Sequence, residues 1–144
     1  MSLLTIFLDA SVILSGLASP TGGSGKVLDA GKLRRFTLLT SQLVLEEVTN
    51  HLQKLDIEPD QLETLFSGKA VHLIASPSEE MIKKFRKSTP DPHDAHVLAG
   101  AGLSGAKILL SLDKQHILIP RVRNTLKPML VLSPKDFWGS RNQT

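Results

Sequence analysis

The sequence predicts one α/β domain, in which a central, mostly parallel sheet of about five strands lies between two layers of helices. Short runs that are apolar at nearly every position alternate with longer amphipathic stretches. Wholly apolar strands are typical of parallel sheets that are covered on both faces. No internal repeat or long linker divides the 144 residues, a length that suits one domain. We therefore predict a single domain over 1–138 and a C-terminal tail over 139–144.

The first elements follow from apolar runs and the residues that interrupt them. The predicted strand 3–8 ends at Asp9. A segment rich in Gly, Ser and Pro over 15–25 predicts a long loop, followed by a helix over 26–33 and a second strand over 36–40.

Capping residues predict most of the later helices. Ser41 can accept a hydrogen bond from a free backbone N–H group and so begin a helix over 42–55. Pro59 and Gly68 are placed to begin and end a short helix. The later elements are a strand over 71–75, a helix over 79–87 opened by a capping box at 76–79, a helix from 91–94 to Leu103 that Gly105 closes, strands over 107–111 and 129–132, and a short turn over 136–138.

The composition excludes several kinds of site and location. Without cysteine, the chain cannot form disulfides, thiolate zinc sites, iron–sulfur clusters or a cysteine nucleophile. No apolar run approaches the ~18 residues of a membrane span, and the N-terminus lacks a signal-peptide pattern. We therefore expect a cytoplasmic protein without a membrane partner, in which oxygen or imidazole holds any metal.

Positive charge is concentrated in the second half of the chain. The net charge is −2 over 1–72 and +5 over 73–144. This excess permits a polyanionic partner, although a solvated helix face with a basic loop is the alternative interpretation. The candidates for contact with the phosphate backbone of such a partner are Lys83, Lys84, Arg121 and Arg123.

Two further patterns lack the spacing that a phosphate-binding loop or a histidine metal site requires. The segment 22–26 resembles a phosphate-binding loop, but Pro20 replaces its first glycine and Val27 its final Ser or Thr. The histidines contain no His-x-x-x-His pair, so surface or helix-start positions are the more common explanation. They are His51, His72, His93, His96 and His116.

The carboxylates are more informative. Asp9 lies at the end of the first strand, and Asp113 lies two residues past the fourth. Because ligands bind at the carboxyl ends of strands in open α/β sheets, these two acids can share a crevice if their strands are neighbours. Each could instead be a turn or capping residue.

Two more acids are candidates for the same crevice. Asp94 shares a helix face with apolar residues, where an unpaired charge is costly, although Asp91 and Asp94 would also both favour a helix N-terminus. In the helix over 42–55, Glu46 lies opposite the apolar stripe and Glu47 at its border, which favours Glu47 over Glu46. A pair of exposed surface acids remains the alternative.

Four converging acids without cysteine would form an all-oxygen site that prefers Mg²⁺ or Mn²⁺. Without a cation, neighbouring carboxylates raise each other's pKa. Two such ions, roughly 3.5–4 Å apart, would activate a water molecule and stabilise the leaving oxygen of a phosphodiester.

Four segments resemble the motifs of the PIN-domain nucleases, and the resemblance extends over about 3–138. The segments are FLDASV at 7–12, TSQLVLEEV at 40–48, DPHDAHVLA at 91–99 and KILLSLDK at 107–114. Each motif alone is weak, but their order and separation are fairly specific. Ser11 stands where many members have Asn.

The resemblance implies a role for each matching residue. Asp9, Asp94 and Asp113 match the metal-binding aspartates, with Asp91 as the alternative third acid. Glu47 matches the helical glutamate, and Ser11 and Ser111 match the polar residues that orient the acids.

The resemblance also implies a biochemical function. Members cleave RNA with Mg²⁺ or Mn²⁺, often form homodimers and, when VapC-like, act as toxins that an antitoxin inhibits. The predicted long loop over 15–25 favours the stand-alone members, which puts the antitoxin in question. A catalytically inactive PIN-like module that binds nucleic acid or protein is the alternative function.

Overall fold

A computed structural model describes residues 3–141 and contains a five-stranded sheet in which every pair of strands is parallel. The strands are β1 (Thr5–Leu8), β2 (Thr37–Ser41), β3 (Val71–Ile74), β4 (Ile108–Leu110) and β5 (Leu130–Leu132). Their order in the sheet is β3-β2-β1-β4-β5. The predicted three-layer α/β fold is thereby confirmed.

Eight α-helices surround the sheet in the described range, with short 3-10 turns between some of them. They are α1 (Ala10–Ala18), α2 (Gly23–Lys32), α3 (Gln42–His51), α4 (Pro59–Ser67), α5 (Glu79–Phe85), α6 (Ala95–Ser104), α7 (Pro120–Leu126) and α8 (Pro134–Arg141). Over residues 3–141, none of these helices has the length and apolarity needed to cross a membrane.

The pairing of β1 with β4 determines where the site lies. Leu8 pairs with Leu110, and the Asp9 backbone N–H donates to the Leu110 carbonyl at 3.0 Å. The residues that follow these two strands are therefore neighbours at the same edge of the sheet.

The predicted loop over 15–25 is wrong, because α1 follows β1 directly and continues to Ala18. The glycines that suggested a loop instead let α1 and α2 approach closely. A Cβ on Gly16 would lie 2.5 Å from Leu28 Cδ1, and one on Gly25 would lie 2.1 Å from the Pro20 carbonyl oxygen.

Some predicted boundaries shift for identifiable reasons. The capping box at 76–79 is wrong, because Ser78 is the N-cap of α5, whereas the Ser76 hydroxyl accepts from the Leu43 N–H at 3.1 Å. The sequence pattern did not predict α7. The predicted turn over 136–138 is part of α8, where Trp138 Nε1 donates to the Gly23 carbonyl at 3.0 Å.

The same helix continues to Arg141, beyond the predicted start of the tail, and residues 142–144 lie outside the described range.

Candidate metal centre

The residues that follow β1 and β4 are joined by side-chain hydrogen bonds. The Ser111 hydroxyl donates to Asp9 Oδ2 at 2.6 Å and accepts from the Asp113 N–H at 3.0 Å. The Ser11 hydroxyl donates to the same Oδ2 at 3.2 Å and accepts from the Leu112 N–H at 3.0 Å. Together the two serines fix the Asp9 carboxylate against the segment that carries Asp113.

Asp9 is buried at this junction. Within residues 3–141, its Oδ1 accepts one hydrogen bond, from the Ala10 N–H at 2.8 Å. This oxygen therefore retains a free lone pair. Burial raises the pKa of Asp9, and the charge of Glu47 acts in the same direction. The hydrogen bonds from Ser111, Ala10 and Ser11 oppose the rise.

Asp94 lies where the 3-10 turn Pro92–Asp94 meets α6. Burial and three neighbouring carboxylates raise the pKa of Asp94 from 3.8 to about 6. These carboxylates are those of Asp9, Asp113 and Asp91, while His116 opposes the rise. The three predicted aspartates therefore lie within electrostatic reach of one another.

Asp113 also closes the turn that follows β4. Its Oδ1 accepts from the backbone N–H groups of Gln115 at 3.0 Å and His116 at 2.9 Å. Its Oδ2 lies 3.1 Å from His116 Nδ1.

Two histidines contact the acids, although their spacing in the sequence suggested surface or helix-start positions. His116 Nδ1 lies 3.5 Å from Asp94 Oδ2 as well as 3.1 Å from Asp113 Oδ2. His96 Nε2 lies 3.4 Å from Glu47 Oε1. Neither histidine belongs to a His-x-x-x-His pair, because each pairs with a carboxylate rather than with another histidine. The only local signal was that each follows a candidate aspartate by two or three residues.

The alternative acids have different positions. Glu46 is exposed, whereas Glu47 is half-buried. Ligand atoms of Asp91, Asp94 and His116 lie within 4.8 Å of one another. In residues 3–141 this is the only group of its kind that could hold a metal ion, and it does not include Asp9, Glu47 or Asp113. Asp91 therefore lies beside Asp94, and both belong to this group.

The basic candidates differ in their surroundings. Lys83 and Lys84 are exposed on α5. One Arg121 nitrogen lies 3.5 Å from the Lys87 carbonyl oxygen, to which it donates. Arg123 Nε donates to the Val131 carbonyl of the edge strand β5 at 3.3 Å, which gives this arginine a structural contact.

The donor set fits a hard divalent cation. Asp91, Asp94 and His116 offer two carboxylates and an imidazole within 4.8 Å of one another, and Asp9, outside that group, offers the free lone pair on its Oδ1. Asp9 and Asp94 both have raised pKa values in the cation-free protein. A bound cation would remove the repulsion that contributes to both shifts.

A cavity with an apolar lining is separate from this site. It has a volume of about 590 Å³, lies between α3, α4 and β3, and has a mainly apolar lining that includes Leu45, Leu62 and Phe66. None of the four predicted metal ligands lines it.

The fold and the site together define an α/β protein with a cluster of acidic side chains at the edge where the parallel strands end. A model of the PIN domain matches residues 5–115, a range that contains Asp9, Glu47, Asp94 and Asp113. The chain therefore belongs to the PIN domain family. PIN domains are generally nucleases, which hydrolyse phosphodiester bonds.

The comparison with solved structures supports the same fold. The chain is similar to PAE2754 from Pyrobaculum aerophilum, with a TM-score of 0.64 and 17% sequence identity over 98% of this chain and 97% of that one. Comparison with curated proteins gave no match.

Proposed function

We propose that this protein is a divalent-metal-dependent endoribonuclease. The observation that carries the proposal is the hydrogen-bonded pairing of buried Asp9 with the Asp113 segment through Ser111, with Asp94 in electrostatic contact. Acids placed in this way are costly to ionise without a cation and are suited to binding one.

Asp9, Asp94, Asp113 and Glu47 would hold the cation, and Mg²⁺ or Mn²⁺ fits their oxygen donors. When bound, the ion supplies Lewis acidity that activates water and neutralises phosphate charge. Ser11 and Ser111 keep the Asp9 carboxylate in one orientation throughout.

RNA is the proposed substrate because the resemblance to PIN-domain nucleases implies it, and the positive charge of the second half of the chain suits a polyanion. Aromatic residues make up 4% of the sequence, and tyrosine is absent. Stacking of bases on aromatic side chains would therefore contribute less than contacts with phosphates. Lys83, Lys84 and Arg121 are the proposed contacts.

An antitoxin partner, a homodimer and a cytoplasmic location remain predictions from the sequence.

The alternative is an inactive PIN-like module that binds nucleic acid or protein. In a module without a cation, the repulsion between Asp94 and its three neighbouring carboxylates, which raises the pKa of Asp94, would have no compensation. The acids therefore favour the enzyme.

The proposal is tested by incubating a mixed pool of single-stranded RNA and tRNA with the protein in Mn²⁺, in EDTA and as the Asp9→Asn variant. We expect cleavage in Mn²⁺ only, with a loss of at least about 100-fold in the variant, since it loses a charged ligand. Asp29→Asn, at an exposed acid of α2, is the matched control and should cleave like the wild type.

Cleavage in EDTA, or cleavage that survives Asp9→Asn, would contradict the proposal. RNA binding without cleavage by a protein that does not bind Mn²⁺ would favour the inactive module.

A further inference from the structure

We propose that His96 is a positioning residue that holds the Glu47 carboxylate at the candidate metal centre. This inference rests on the proposed function, because it assigns Glu47 to the bound cation. Its basis is the contact of 3.4 Å between His96 Nε2 and Glu47 Oε1, which joins α6 to α3.

The His96 ring is held more firmly than Glu47. The side chain of His96 is 16% exposed and that of Glu47 is 42% exposed. His96 lies between Ala95 and Val97, which are both buried on α6. A largely buried ring beside a more exposed carboxylate can restrict the rotamers of that carboxylate.

The unpartnered ring nitrogen indicates which atom carries the proton. His96 Nδ1 is buried and has no hydrogen-bond partner in the described part of the chain. A buried N–H group without an acceptor is costly. Hydrogen on Nε2 rather than on Nδ1 avoids this cost, and Nε2 is the ring atom that lies 3.4 Å from Glu47 Oε1.

This tautomer leaves Glu47 able to bind a cation. The contact of His96 Nε2 is with Oε1 alone, so the second carboxylate oxygen, Oε2, keeps both of its lone pairs. Without His96, the Glu47 side chain would sample more rotamers, and each cation-binding event would have to order it. Outer partners of metal ligands commonly change metal affinity by about 10–100-fold.

The test measures Mn²⁺ binding through the electron paramagnetic resonance signal of the free ion, with no substrate present. His96→Gln and His96→Asn form a matched pair, because the Gln amide can reach the position of Nε2 and the Asn amide only that of Nδ1. We expect His96→Asn to weaken binding by about tenfold or more and His96→Gln to restore most of it. His72→Phe, on β3, controls for the loss of an imidazole elsewhere.

The double variant His96→Asn/Glu47→Gln separates positioning from a structural role. If His96 acts through Glu47, His96→Asn should change Mn²⁺ affinity by less than about twofold in the Glu47→Gln protein, since coupled substitutions are not additive. Circular dichroism and melting in EDTA check that each variant folds. Should His96→Asn fail to fold, His96→Phe replaces it in the same comparison.

The outcomes distinguish this inference from the proposed function. If the wild type binds Mn²⁺ but the His96 substitution has equal effects in both backgrounds, or none, His96 is not a positioning residue and the proposed function stands. If the wild type binds no Mn²⁺, both are overturned.

Discussion

Asp9 combines a structural and a chemical task in one side chain. Its Oδ1 caps α1 through the Ala10 N–H, and its Oδ2 accepts hydroxyl hydrogen bonds from Ser11 and Ser111. These bonds orient the carboxylate before any ligand arrives, and only Oδ1 keeps a lone pair that no described contact uses. A carboxylate oriented in advance loses little conformational freedom when it binds a cation.

Asp94 gives a pH dependence whose sign follows from its environment. Its pKa in the folded protein is about 6, above the ordinary 3.8, so the folded state favours the protonated carboxyl. The corresponding stabilisation is complete below pH 3.8 and is lost as the pH rises through about 6. In EDTA, the free energy of unfolding of the wild type, relative to that of Asp94→Asn, should therefore fall between pH 5 and pH 7.

Urea denaturation of both proteins in EDTA at pH 5, 6 and 7 measures this difference. Because the pKa of Asp9 is raised as well, only the difference between the two proteins isolates Asp94. A difference that stays constant across this range would contradict the shifted pKa. Mn²⁺ should raise the melting temperature of the wild type more at pH 7 than at pH 5, since protons compete for the same oxygens.

Elements with local signals were predicted best from the sequence. The Ser41 hydroxyl caps α3, Gly68 follows α4, and Gly105 ends α6 with a φ of +69°. Their capping chemistry involves residues close together in the chain. By contrast, α1 depends on a close approach to α2 that Gly16 permits. The helix α8 depends on aromatic contacts, such as that between Phe137 and Phe36, whose ring centroids are 5.4 Å apart. A local pattern carries no information about such contacts.

In the candidate site, too, one part was predicted from the sequence and another was not. The proximity of Asp9 to the Asp113 segment followed from the rule that parallel strands end at one edge, once β1 and β4 were neighbours. The contacts of His96 with Glu47 and of His116 with Asp94 join different elements. They depend on how the helices pack against the sheet, which strand and helix periodicity does not specify.

Gly25 provides a test of the packing between α1 and α2. A Cβ at this position would lie 2.1 Å from the Pro20 carbonyl oxygen, a backbone atom that cannot move aside cheaply. Gly25→Ala should therefore lower the free energy of unfolding by about 1–3 kcal/mol, the usual cost of overpacking. Gly139→Ala is the control, because nothing lies within 4 Å of its added Cβ.

Urea denaturation of these two variants and the wild type measures the effect. Gly139→Ala should be neutral or stabilising, since alanine favours helices more than glycine does. Equal stability of the Gly25→Ala and wild-type proteins would mean that the α1–α2 turn rearranges freely, contrary to this packing.

Across the whole molecule, the candidate site lies where two halves of different charge meet. The strands β1 and β2 come from the half with a net charge of −2, and β4 and β5 from the half with +5. The pairing of β1 with β4 places Asp9 and Asp113 at this boundary. A polyanion drawn to the positive half would therefore approach the acids from the side of β4, where electrostatic attraction offsets the repulsion by the carboxylates.

This arrangement predicts which basic residues contribute to RNA binding. In the Asp9→Asn protein, which should bind RNA without cleaving it, Lys83→Ala/Lys84→Ala should reduce the slope of log affinity against log salt. A reduction of about 1.4 is expected if each lysine neutralises one phosphate of single-stranded RNA. Filter binding of a labelled RNA between 50 and 200 mM salt, roughly the range over which such slopes are measured, gives the value.

Two comparisons make that result specific. Lys26→Ala/Lys54→Ala removes the same charge from exposed positions of the other half and should leave the slope near that of the parent. Arg123→Ala should instead destabilise the fold with little effect on the slope, because Arg123 Nε donates to the Val131 carbonyl of β5. Equal slope changes for the two lysine pairs would mean that net charge, rather than the position of the basic half beside the acids, governs binding. The proposed contacts of Lys83 and Lys84 with RNA would then be wrong.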